Sequence, residues 1–331
     1  MFVRHGLTCP TQPQQTLDPM SDSFRHTPVP ATDVFRPDIF RGKVVFVTGG
    51  GSGICYAITE TLMRLGARAA IIGRKADRLR EAAAQLSRDT GSQAIATPAD
   101  VRKLDTLESA VKQTMETFGK IDWVICGAAG NFMAPIVGLS ANAFRTIVEI
   151  DLLGTYNTIR ATMEEVKRSH GTYLHISATL HYSGLPWQAA PSAAKAGVDA
   201  LSNVLATELG PFGVRSNCIA PGLISGTEGA DRLVPQGGED FVGSFIPLQR
   251  AGQKSDIVNA AVFLFSDAAN WITGQILVRN CPCAYTRLST ADTCIFAGRG
   301  FPIRTACWIR AHLRACSPVC VCEECTTHVC K

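Results

Sequence analysis

Five residues, Gly49, Gly50, Gly51, Ser52 and Gly53, stand between the apolar run Val44–Thr48 and the helix-like segment ICYAITETLMRLGA. A buried strand, a glycine-rich turn and a helix start, in that order, form a cradle for a dinucleotide pyrophosphate. The glycines permit positive φ and a close backbone approach, and the free N–H groups of the first helical turn meet the negative charge. The same glycines also suit a plain tight turn, so the loop alone carries little weight. Arg74 and Lys75 follow the next apolar run, AAIIG. About 20 residues past such a turn, an NAD site places Asp or Glu against the ribose hydroxyls. Here that position is Gly73, and a guanidinium and an ammonium beside it suit a 2′-phosphate. The expected cofactor is therefore NADP(H), the alternative being a solvated charge pair on a loop.

Such groups need a scaffold, and the chain supplies a regular alternation of strand and helix signals from Lys43 onward. Strands are expected at VVFVTG, ARAAIIGR, QAIATPADV, IDWVICGAA, TYLHISA, VRSNCIAPG and GQILV. Helices are expected up to Leu65, over Asp77–Leu86, over LDTLESAVKQTMETFG with apolar Leu107, Val111 and Met115 on one face, around Phe144–Val166 and over Ser192–Leu209. This alternation implies an α/β fold: a Rossmann-type, doubly wound parallel sheet of about seven strands, with right-handed crossovers and ligands at the carboxyl ends of the strands.

The chain has 331 residues, 46% hydrophobic and 18% charged, which suits one large domain with a sizeable core. A net charge of +4 is too small to argue for nucleic acid. The longest apolar runs fall short of the 18 or so residues that span a bilayer, so a soluble protein is expected. Residues 1–37, rich in Pro, Thr, Ser and Gln, read as a flexible extension with no signal-peptide core. Arg4 and His5 precede the first acid, Asp18, a slight presequence character, and Met20 is an alternative start. Residues 38–280 form the expected nucleotide-binding domain. Nine of the thirteen cysteines lie after residue 280, in a tail, 281–331, that is expected to be unstructured. Cys55, Cys126 and Cys218 read as small core residues in a reducing compartment.

The loop, in the form TGxxxGI ending at Ile54, resembles the signature of the short-chain dehydrogenases/reductases. That resemblance implies that Asp100 and Val101 flank the adenine. It also implies that the segment Cys126–Gly130, with Ala128, packs against the adenosine ribose, and that Pro221 and Gly222 flank the nicotinamide. The family pattern is Ser, twelve residues, then Tyr-x-x-x-Lys, with an Asn on the helix after the fourth strand. Lys195, in PSAAKAGVDAL, matches the lysine. Four places back stands Pro191, thirteen further back Ala178 with Ser177 beside it, and the asparagine position holds Asp151. Proline has no proton to give, so the chain is poorly equipped to protonate a carbonyl oxygen.

Within that family, AGNF (129–132), SATLHYSG, the tyrosine-less SAAKAGVDAL and APGLISGTEGADRL (220–233) resemble peroxisomal-type 2,4-dienoyl-CoA reductases, over roughly residues 35–279. The resemblance implies NADPH-dependent reduction of a conjugated dienoyl thioester to a 3-enoyl-CoA in unsaturated fatty-acid breakdown. Lys195 would hold the nicotinamide ribose, and Asp151 would bond Lys195 or a water that relays the proton. Arg102, Phe132, Ser140 and Arg232 would contact coenzyme A, the alternative being ordinary surface or core roles. His181 and Tyr182, in the loop before the active helix, suit by position either an approach to the acyl chain or packing of the loop. Residues 226–250, with Gly237 and Gly238 as hinge, would form a lid, and the chain would be a homo-oligomer, a tetramer by resemblance. A peroxisomal location is implied in the same way. The final residues, His328-Val329-Cys330-Lys331, are not the targeting tripeptide, which leaves the cytoplasm as the alternative.

The tail departs from the family after Val278, as expected of a retained intron or a shifted frame. Cys320, Cys322, Cys325, His328 and Cys330 lack the second clean ligand pair of a zinc site, so no metal is expected. Three other readings stay open. One is a carbonyl reductase using Ser177 and Tyr182 in shifted positions. Another is a non-catalytic NADP(H)-binding sensor. The last is a chain whose tail prevents folding.

Overall fold

The computed structural model describes residues 29–233, 246, 248 and 250–279. The N-terminal 28 residues, most of the expected lid with its Gly237-Gly238 hinge, the tail beyond 279 with its cysteine cluster, and the side chain of Arg232 lie outside the described residues.

Seven strands form one parallel sheet: β1 (Val44–Thr48), β2 (Arg68–Gly73), β3 (Ala94–Pro98), β4 (Trp123–Cys126), β5 (Thr172–Ile176), β6 (Arg215–Pro221) and β7 (Ile276–Arg279). Their spatial order is β3-β2-β1-β4-β5-β6-β7. All five residues of β1 are buried, as a strand covered on both faces requires, which is why VVFVT has no polar alternation. The order reverses at β1 and β4, where Thr48 pairs with Cys126, and a crevice opens at that switch point.

Helices cover both faces. On one side α2 (Gly53–Arg64), α3 (Ala76–Thr90) and α10 (Lys254–Phe265) bury Ile58, Leu62, Leu79, Leu86, Ile257 and Phe265 against the sheet. On the other, α4 (Leu104–Phe118), α6 (Gly154–Arg168) and α8 (Ala189–Leu209) bury Leu107, Val111, Ile159, Val166 and Leu205. Trp123 ties the first layer together, with Phe265 stacked on it and Phe40 edge-on, each 4.8 Å between ring centroids. Gly91 and Gly119 end α3 and α4 in the left-handed conformation that a Cβ would disfavour.

Four local expectations change. The helix expected around Phe144–Val166 is interrupted: α5 (Ala141–Val148) passes into a π-type turn, Glu149–Leu153, before α6 begins. Helix α3 runs four residues past Leu86, to Thr90. Helix α8 starts at Ala189, because Pro191 sits in its first turn, where no N–H partner is needed. A short helix, α1 (Ala31–Val34), precedes the expected boundary at 38, with Ala31 buried in the first layer. Among the described residues no helix is long and apolar enough to cross a membrane.

Candidate active site

The loop after β1 is shaped by what it must not touch. Gly49 has φ +73°, and a Cβ there would lie 2.7 Å from the Gly127 carbonyl oxygen. Gly127, after β4, has the same constraint from the other side: a Cβ on it would meet Cys55 Sγ at 2.1 Å. Thr48 Oγ1 accepts the N–H groups of Gly127 (3.2 Å) and Ala128 (3.4 Å), clamping the two strand ends. Gly53 opens α2 with φ +64° and nothing within 4 Å of its absent Cβ. The result is a cleft of about 360 Å³ at the switch point, lined among others by Gly51, Ser52, Arg74, Lys75, Asp100 and Ala128. A backbone held open by two positive-φ glycines, facing the first turn of a twelve-residue helix and flanked by two cations, fits a dinucleotide phosphate group.

Not every residue of the motif faces the cleft. Gly50 packs on Ile71, where a Cβ would come within 2.8 Å, and Ile54 packs on the core beneath. Val101 lines the cleft and abuts Gly154, whose absence of a side chain lets α6 approach: a Cβ there would be 2.6 Å from Val101 Cγ2. Pro221 is buried at the end of β6, and its carbonyl accepts the Thr179 N–H at 3.3 Å; Gly222 follows it. Arg78 of α3 reaches over the cleft to Glu228 of α9 (Glu228–Leu233) at 3.0 Å. The sequence reading missed this pair, because its two members lie 150 residues apart.

The π-type turn places Asp151 inward, 1% exposed. Its Oδ1 accepts the Gly130 N–H at 2.7 Å, and Oδ2 lies 3.5 Å from Lys195 Nζ. Lys195, 7% exposed, also donates to the Ile176 carbonyl at 2.8 Å. Burial pushes the Asp151 carboxyl above the usual carboxylate range, while the Lys195 charge and the Gly130 N–H pull the other way. An ammonium, a carboxyl with raised proton affinity and a strand-end carbonyl thus converge between β4 and β5. Pro191, at the tyrosine position, is buried in α8. Ser177 is buried, and its hydroxyl has no hydrogen-bond partner among the described residues.

Two of the residues expected to contact coenzyme A, Arg102 and Ser140, make local contacts. Arg102 forks onto Asp100, with Nε 3.0 Å from Oδ1 and Nη2 2.5 Å from Oδ2. That contact holds the Asp100 carboxyl below its ordinary value, against the effect of burial. Ser140 caps α5, accepting the Ala143 N–H at 3.2 Å. Phe132 is 38% exposed beside Met133. The hydroxyl of Tyr182 donates to Asp199 Oδ2 at 3.0 Å, on α8 four residues after Lys195. Burial and the Asp199 charge raise the Tyr182 phenol further above neutrality.

The enoyl-(acyl carrier protein) reductase family model matches residues 49–281. The chain is 51% identical over 247 residues to the peroxisomal 2,4-dienoyl-CoA reductase of Saccharomyces cerevisiae, described as (3E)-enoyl-CoA-producing, covering 74% of this chain and 85% of that protein. It is 44% identical to the Danio rerio enzyme of the same description, over 75% and 83% of the two chains. Among solved structures, carveol dehydrogenase of Mycobacterium avium in complex with NAD superposes with a TM-score of 0.66 at 26% identity, covering 72% of this chain and 96% of that one. A nicotinamide cofactor serves this family, and the cradle between β1 and α2 fits one. With fold, glycine loop and lysine in agreement, the chain belongs to the short-chain dehydrogenase/reductase family.

Proposed function

We propose that the chain reduces 2,4-dienoyl-CoA thioesters to 3-enoyl-CoA, using NADPH. The observation that carries this reading is the buried pair Asp151–Lys195 beside a position, Pro191, that cannot protonate a carbonyl oxygen. Bound in the cleft, the nicotinamide supplies a hydride. For a conjugated thioester the hydride adds at the far end of the diene, the electron pair passes to the thioester oxygen as a dienolate, and a proton closes the reaction on the α-carbon. No proton is placed on a carbonyl oxygen at any point, so the tyrosine is dispensable.

The chain's own groups suit those demands. Lys195, fixed by Asp151 and the Ile176 carbonyl, brings a positive charge to where the oxyanion develops. Asp151, its proton affinity raised by burial, holds or relays the proton near neutral pH better than an exposed carboxylate would. Arg74 and Lys75 support selection of the 2′-phosphate of NADPH over NADH, since both line the cleft. Sequence identity to peroxisomal enzymes supports that compartment. Exposed Leu153 and Tyr156 near the start of α6 and Val204 of α8 support a homo-oligomer packed through these helices. We also propose residues 38–280 as the catalytic domain, with α1 packed on its first helical layer.

Turnover of 2,4-hexadienoyl-CoA with NADPH in deuterated water tests the reaction. The expected product is the 3-enoyl thioester carrying one solvent deuterium on the α-carbon. A 2-enoyl product, or reduction of simple ketones in preference to the dienoyl thioester, contradicts it.

A further inference from the structure

Asp199 lies one helical turn beyond Lys195 on α8, close to the same face. It is 5% exposed, and its Oδ2 accepts two hydrogen bonds from a single short segment, α7 (Leu180–Ser183): His181 Nε2 at 2.8 Å and Tyr182 Oη at 3.0 Å. From β6, the Cys218 thiol also faces this carboxylate. The two rings lie 4.2 Å apart, tilted by 45°. Although its hydroxyl is pinned, Tyr182 remains 41% exposed. Asp199 therefore works as a clasp that fixes a tyrosine by its tip and leaves the ring uncovered.

The place of this ring in the fold gives it a task. Segment α7 follows β5, whose last carbonyl anchors Lys195, and Thr179 just before it is tied to the Pro221 carbonyl at the end of β6. It therefore begins beside the carboxyl ends of β5 and β6. The nucleotide cleft is built from the ends of β1, β2, β3 and β4, on the other side of the lysine. A substrate whose reacting carbons meet the cofactor near Lys195 extends beyond it, over α7.

We propose that the His181–Tyr182 wall, clasped by Asp199, is a specificity-determining surface for the acyl chain of a fatty acyl-CoA thioester. This rests on the dienoyl-CoA reading above. A conjugated acyl chain is flat and apolar, and an aromatic face suits it. Because the clasp has already removed the tyrosine's rotamer freedom, little further ordering is needed on binding. Asp199 acts through the two rings and is a positioning residue.

The test uses the full chain and three variants, Tyr182→Ala, Tyr182→Phe and Asp199→Asn. Affinity for decanoyl-CoA, a saturated and unreactive thioester, is measured by titration, together with NADPH affinity and the KM and kcat for 2,4-decadienoyl-CoA. Tyr182→Ala is expected to weaken decanoyl-CoA binding about tenfold, by loss of apolar contact. Tyr182→Phe and Asp199→Asn, which keep the ring and loosen the clasp, are expected to weaken it about threefold, with NADPH affinity unchanged in all three. Unchanged acyl-CoA affinity in Tyr182→Ala overturns the proposal. So does a parallel fall in NADPH affinity, which marks a merely structural role. If the wild-type chain binds decanoyl-CoA through Tyr182 but turns over no dienoyl thioester, the wall stands and the reductase reading falls.

Discussion

Asp151 Oδ2 lies 3.5 Å from Lys195 Nζ in a nearly dry setting, while its other oxygen holds the Gly130 N–H at 2.7 Å. The carboxyl thus links the loop after β4 to the lysine on α8, and the two groups proposed to face the thioester are fixed relative to the cofactor cradle. Replacing Asp151 by Asn keeps an acceptor for Gly130 but removes the counter-charge of Lys195 and the titratable proton. A loss of about a hundredfold in kcat is expected, with NADPH affinity changed far less. Steady-state kinetics with a cofactor titration check this, and equal losses in both would mean that Asp151 only supports the fold.

On the proposed reading, two exposed cations, Arg74 and Lys75, select NADPH. Arg74→Ala combined with Lys75→Ala should raise the KM for NADPH by about a hundredfold and leave that for NADH nearly unchanged, since only the former has a 2′-phosphate to lose. The ratio of the two KM values is the readout.

Gly127 and Cys55 share one small volume. Gly127→Ala should destabilise the fold by about 2–3 kcal/mol, since the new methyl overlaps Cys55 Sγ. Removing that sulfur by Cys55→Ala in the same chain should recover a substantial part of the loss, as urea denaturation of the single and double variants will show. Additive destabilisation would contradict the interlock.

Asp100 and Arg102 form a partly exposed pair whose carboxyl titrates below the ordinary 3.8. A depressed folded-state value contributes stability above 3.8 and loses it as pH falls through that lower value. Asp100→Asn should therefore cost at most about 1 kcal/mol at neutral pH, given the exposure of the pair. The difference from wild type should vanish in acid. Denaturation midpoints at several pH values measure both.

The cradle was legible in the sequence once the glycine turn stood in a regular alternation of strands and helices, and the seven strands were legible in their apolar runs. The sequence also carried Lys195 and Asp151 as positions. What it lacked was the machinery that aims them. The π-type turn at Glu149–Leu153 looks like ordinary helix in composition, and the partners of Asp151 and Lys195 are the backbone groups of Gly130 and Ile176, which leave no side-chain signature. Ser140 and Arg102 also have local roles that the sequence suggests: a serine ahead of a helix is a cap, and an arginine two residues after an aspartate is a partner for it. Asp199, four residues after Lys195, is within reach of helical periodicity, but its ring partners, His181 and Tyr182, lie on a separate segment.

The central claim is that a tyrosine-less site built on Lys195 performs hydride addition to a conjugated thioester. The most direct measurement is NADPH oxidation with 2,4-hexadienoyl-CoA by the full chain and by its Lys195→Ala variant. The account predicts turnover by the wild type and a loss of at least about a hundredfold in the variant. Tight NADPH binding by the wild type with no turnover, or turnover that survives the loss of Lys195, would contradict it.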